Sequence, residues 1–114
     1  RRRRLTLTDK VSMLRVLLRN DEGATDDILN ALLTFAEAEI LAWMYRSYPT
    51  LPDGVDGVPR EYEMIQIHAC VIGYNMSGAE GQTSHSENGT VRQYAYSDMA
   101  AFIHKNVTPY AYIL

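Results

Sequence analysis

Residues 25–44 read TDDILNALLTFAEAEILAWM, and this stretch decides the fold. Thr25 is a helix-capping residue type, and Asp26 and Asp27 complement the positive end of a helix that starts there. No Gly or Pro interrupts the run to Met44. With successive residues about 100° apart on a helical wheel, Ile28, Phe35, Leu32, Trp43, Ala36, Leu29, Ile40, Leu33 and Met44 fill one half of the circumference. The spacing predicts a helix over about 26–46 whose apolar arc is wider than one neighbouring element covers. Ala31, Ala38 and Ala42 lie opposite; they permit a close backbone approach, but alanines chosen for helix propensity are the simpler reading. Glu39 falls inside the apolar arc, where an unpaired carboxylate is costly, so a partner is expected, with Arg15 or Arg19 the nearest candidates.

Upstream, Thr8 is the expected cap of a first helix that carries Val11, Leu14, Leu17 and Leu18 at helical spacing and ends near Asn20. Gly23 then breaks the chain. Downstream, Ser47 to Pro59 holds Pro49, Pro52, Gly54 and Gly57 and reads as a loop of about a dozen residues, long for a compact domain. Pro59 suits the first turn of a third helix, expected over about 60–77. That helix has two apolar stripes. Tyr62, Ile65, Ala69, Ile72 and Met76 form one and Met64, Ile67, Val71 and Tyr74 the other, separated by Glu61, His68 and Asn75. Either it is the central helix of a small bundle, or one stripe, with Met64, Ile67, Val71 and Tyr74 the candidates, faces a neighbouring copy.

After Gly78 the chain turns polar. Asn88-Gly89 is a strong two-residue hairpin signal, and Thr90-Val91-Arg92-Gln93-Tyr94-Ala95-Tyr96 reads as a strand pairing with residues before it, giving a hairpin over about 82–96. Ser97-Asp98 reads as the cap of a short helix, about 98–105, with Met99, Phe102 and Ile103. Val107 to Leu114 is expected to be an extended apolar tail because Pro109 disfavours helix at Thr108. The predicted fold is therefore mainly α: one domain over 5–106 with three main helices, a hairpin, a short fourth helix, and a tail over 107–114. Arg1–Arg4 reads as a disordered basic arm or an appended remnant.

The chain has 114 residues, one domain's worth, with 46% hydrophobic and 22% charged residues, which excludes collagen-like and disordered chains. One cysteine, Cys70, excludes an internal disulfide. No apolar stretch approaches the ~18 residues of a membrane span, and no signal segment is recognisable. Four of the 11 basic residues are Arg1 to Arg4; the remaining seven face 14 acidic residues, a net of −7 for the body. Such a body repels nucleic acid over a Debye length. Ser84-His85-Ser86-Glu87 is the densest polar cluster, but neighbours on a strand point to opposite faces and do not make a nucleophile–base pair. His68 and Cys70, two apart on a helix, do not chelate one metal, and the carboxylate pairs at 26–27 and 61–63 sit in first turns. Neither an enzyme nor a cofactor or metal site is expected. The Tyr-rich composition, eight Tyr in all, suits protein contact better than base stacking.

The segment Gly78-Ala79-Glu80-Gly81-Gln82-Thr83-Ser84-His85-Ser86-Glu87-Asn88-Gly89, followed by Arg92 and Tyr94, resembles the signature of the head-tail connector, or adaptor, proteins of tailed bacteriophages. From Leu5 onward the order of parts is similar too. The resemblance implies a helical subunit assembled as a homo-oligomeric ring, commonly a dodecamer, beneath the portal protein in the virion neck. There it extends the channel through which double-stranded DNA passes, without enzymatic activity or cofactor. By that resemblance Gly81, Ser84, His85, Ser86, Glu87, Asn88, Gly89, Arg92 and Tyr94 engage neighbouring subunits or line the channel. Pro109, Tyr110, Tyr112, Ile113 and Leu114 reach a partner ring, the portal or a tail-proximal stopper protein. Host cytoplasm during assembly and the virion afterwards are the implied locations. The competing reading from the residues is a small helical DNA-binding regulator with a wing-like hairpin.

Overall fold

In a computed structural model of the chain, which describes residues 4–77 and 88–110, Thr6 rather than Thr8 opens the first helix. Its hydroxyl accepts from Asp9 N at 3.0 Å, and the Asp9 carboxylate accepts from Thr6 N at 3.1 Å. This is a capping box; Thr8 has no acidic residue three positions on, whereas Thr6 does. Helix α1 (Leu7–Leu17) buries Lys10 and Leu14. It unwinds through Arg19 and Asn20, both at positive φ (58° and 56°), and Asn20 N returns to Arg15 O at 2.8 Å. Thr25 caps α2 (Asp26–Met44) as expected, accepting from Ile28 N at 3.3 Å. Leu29, Leu32, Leu33, Ala36, Ile40 and Met44 form its buried stripe, while Ala31, Ala38 and Ala42 are exposed.

The loop after α2 leads through a 3-10 turn at Arg60–Tyr62, with Pro59 at its N-cap, into α3 (Glu63–Ser77). This is the central helix, packed against α4, α2 and α1. Glu63, Gln66, Ile67, Ala69, Cys70 and Tyr74 are buried. Met64 and His68 lie on its one open strip, with Val71 half-buried at the edge. The stripe read from the sequence therefore divides: Ile67 and Tyr74 turn into the subunit's own core at 0% and 1% exposure, so a neighbour-facing role for them is corrected.

Helix α4 (Asn88–Asn106) replaces the expected strand and the short helix together. Residues 90–96 are helical, and Ser97-Asp98 is mid-helix rather than a cap. The alternation there carried only Val91 and Ala95 as apolar members of one face, too little buried area to hold a sheet edge, while Gln93 and Ala95 are good helix formers and Asn88 suits a helix start as well as a turn. The other expected arm, 82–87, lies outside the described residues. Among the described residues the fold is wholly helical.

Where α3 meets α4, Gly73 is what allows the approach. A Cβ there would stand 2.3 Å from Met99 Sδ and 3.2 Å from Leu32 Cδ2. Gly73→Ala is expected to lower stability by about 1–2 kcal/mol, overpacking outweighing the gain in helix propensity. Urea denaturation followed by circular dichroism measures it; an unchanged midpoint would mean that Met99 repacks freely.

Candidate assembly surface

Two clusters of polar and aromatic side chains tie the helix ends together. At the first, Lys10, Glu63 and Gln66 are buried in one network. Lys10 Nζ donates to Gln66 Oε1 at 2.7 Å and lies 3.6 Å from Glu63 Oε2; Gln66 Nε2 donates to Leu33 O at 3.1 Å. Leu5 N donates to Glu63 Oε2 at 2.9 Å, so the segment before α1 is pinned to the start of α3. Arg4 extends the strap by pairing with Asp56 at 2.8 Å and donating to Val58 O at 3.4 Å. A cleft of about 320 Å³ opens between these groups, with Glu37 and Thr34 of α2 on its wall. Donors and acceptors here satisfy one another, which is the chemistry of a structural tie.

The second cluster joins α2 to α4 and to the chain after it. His104 Nε2 meets Glu39 Oε2 at 2.6 Å. Glu39 thus has its partner, but from α4 rather than from Arg15 or Arg19. Its face turns toward α4, and Arg15 is occupied at the other end of α2 by Asp26 and by Ala24 O at 3.0 Å. The His104 ring stacks on Trp43 with centroids 3.9 Å apart, and the Arg46 guanidinium stands 4.4 Å from the Trp43 centroid. Trp43 Nε1 donates to Val107 O at 2.9 Å and Tyr110 N to Met44 O at 2.8 Å, so the chain past α4 folds back on α2. Tyr45 contacts both Tyr48 and Tyr110. Burial, and after it the neighbouring Tyr45 and Glu61, push the Tyr110 hydroxyl up.

The large apolar residues left exposed are not scattered. Leu7, Val16, Leu17, Ile28, Leu51, Met64, Met76 and Tyr110 each lie in a terminal helical turn or a connecting segment. Val16, Leu17, Ile28 and Met76 belong to the end of the bundle where Asp21 bonds the Tyr74 hydroxyl. Leu7, Met64 and Tyr110 belong to the opposite end, where α1 and α3 start and the chain after α4 folds back on Met44, and Leu51 lies in the loop that leaves that end. On the flanks of α1, α2 and α3 the exposed apolar residues are small ones, such as Ala31, Ala38 and Ala42. Of the residues singled out from the sequence, Met64 and Tyr110 are on this exposed set, at 54% and 44%, and Pro109 is half-buried. Asn88 and Gly89 open α4, with Arg92 and Tyr94 further along it. Gly81, Ser84, His85, Ser86 and Glu87 lie outside the described residues, as do Tyr112, Ile113 and Leu114. Sequence reasoning missed Val16, Leu17, Ile28 and Leu51; the available signal was their place in last turns, first turns and a loop, where a short bundle has nothing to cover them.

Cys70 is fully buried in α3, and burial pushes its thiol up to about 12, against the opposing pull of Lys10. The thiolate is the reactive form, so the native protein is expected to resist alkylation at pH 9 while the urea-unfolded chain labels within minutes. Rapid labelling of native protein, read by mass spectrometry, would contradict this burial.

Among the described residues no group of His, Cys, Asp and Glu is placed to hold a metal ion, and no helix is long and apolar enough to cross a membrane. Fold and surface together define the class: a small helical domain whose large exposed apolar side chains, among the described residues, lie in terminal turns and connecting segments. More particularly, the family model described as Phage gp6-like head-tail connector protein matches residues 6–106, and the chain belongs to that family of phage head-tail connector proteins. No curated protein and no solved structure matches the chain at a significant level.

Proposed function

We propose that the protein is a structural subunit that closes into a homo-oligomeric ring, a dodecamer by resemblance, between portal and tail in the virion neck, and that the ring prolongs the DNA channel. The observation that carries the reading is membership of the connector family over residues 6–106. The exposed apolar ends support it, since such surface is retained by proteins that pack against others. Net charge supports it as well: a wall along which DNA slides gains nothing from phosphate affinity, and counterion-release binding would multiply with every copy in the ring. In this reading the segment from Gly81 to Tyr94 engages neighbours or lines the channel. Pro109 to Leu114 meets a partner ring, the portal on one side or a stopper protein on the other. The role is one of packing, without chemistry or cofactor. The match to the connector family, rather than to a regulator, favours this reading over a small DNA-binding protein.

Native mass spectrometry of the full chain, alone and with portal protein, tests the proposal. A discrete closed oligomer that binds the portal is expected; a strict monomer indifferent to the portal would overturn it.

A further inference from the structure

One corner at the second end of the bundle differs in charge from the first end. Around Val16, Leu17 and Ile28, the carboxylates Asp21, Glu22, Asp26 and Asp27 outnumber Arg15 and Arg19, and Glu22 and Asp27 are exposed with no ion-pair partner among the described residues. At the opposite end, the corner made by the last turns of α2 and α4 carries Arg46, His104 and Lys105 beside Trp43 and the half-exposed Tyr110. Of the two carboxylates near the corner, Glu39 is engaged by His104, while Glu61 is exposed and close enough to Tyr110 to raise its hydroxyl. Arg46 and Lys105 are exposed and have no ion-pair partner among the described residues. Trp, Tyr and Arg together are the residue types that carry most interface energy.

We infer that the occupant of the Trp43–Arg46–Lys105–Tyr110 corner is a second copy of this chain, seated through its Val16–Leu17–Ile28 end with Glu22 and Asp27 facing Arg46 and Lys105. The inference rests on the ring reading and says which surfaces close it. Both sides offer apolar area, and their charges are opposite. They are separated by the length of α2, 19 residues from Asp26 to Met44 or about 28 Å, so one copy cannot satisfy both from within itself. Two different patches on one subunit make a heterologous contact, which closes into a ring when the rotation between copies allows it.

Reversing each patch separately tests it on the full chain. Arg46→Glu with Lys105→Glu makes both ends acidic, and Glu22→Lys with Asp27→Lys makes both basic. Each variant alone is expected to remain helical by circular dichroism and to lose the oligomer in sedimentation velocity. The two variants mixed, or all four reversals in one chain, are expected to regain it, because opposite charges meet again. Should a reversed chain fail to fold, Arg46→Gln with Lys105→Gln, which preserves size and polarity, is expected to raise the concentration for half-assembly by roughly tenfold or more. If wild type assembles and the reversals leave it intact, or if neither the mixture nor the fourfold variant recovers assembly, the end-to-end contact is wrong while the ring stands. A wild type that never assembles overturns both.

Discussion

Ile67→Asp is expected to abolish the folded state. Ile67 is fully buried in the middle of α3, the helix that α1, α2 and α4 all touch. Removing its side chain alone costs about 2–5 kcal/mol. Placing a carboxylate at this fully buried position adds several kcal/mol more. Lys10, the nearest buried cation in the same core, is already committed to Gln66 and Glu63. Domains of this size are stable by about 5–15 kcal/mol, so the substitution consumes most or all of the margin. Met64→Asp, one turn earlier on the open strip and 54% exposed, is expected to leave the fold intact. Circular dichroism with thermal melting of the pair checks this contrast. A cooperative melt in Ile67→Asp would place that side chain at the surface and revive its reading as an interface residue.

The second large effect is at the buried network. Glu63→Ala removes the acceptor of Leu5 N and leaves Lys10 as an uncompensated charge at 9% exposure. Breaking a buried pair by deleting one partner costs about 3–5 kcal/mol, most of it the penalty on the charge left behind. Gln66 softens the loss by keeping its 2.7 Å bond to Lys10. Replacing both charges by apolar groups, as in Lys10→Met with Glu63→Leu, is expected to cost far less than the single change, since nothing charged remains buried. Urea denaturation of the wild type, Lys10→Met, Glu63→Leu and the double variant gives the coupling directly. Additive losses would mean that Lys10 and Glu63 do not act as a pair.

How much of this was legible beforehand follows from where local signals agreed. In α2 the Thr25 cap, the first-turn carboxylates and the apolar period all point one way, and the helix lies where those signals put it. In α3 the two stripes told that the helix would be covered from several sides but not by what, because periodicity reports faces and not neighbours. At residues 88–96 two signals conflicted: Asn88-Gly89 favours a turn, while the following residues tolerate a helix, and α4 runs through them to Asn106. Lys10 was not recognisable as a core residue, since a lysine in a first turn ordinarily reaches water and only the positions of Glu63 and Gln66, far along the chain, hold it inside. His104 as the partner of Glu39 was hidden for the same reason, the two being 65 residues apart. The exposed ends became visible only once the helices had lengths and neighbours.

Imaging necks isolated from assembled phage particles by electron microscopy tests the central claim most directly. The account predicts a closed ring of this chain between portal and tail, surrounding the DNA channel, with the Trp43 corner of each copy seated against the Val16–Ile28 end of the next. Density for isolated or absent copies at that level, or a neck complete without this protein, would contradict it.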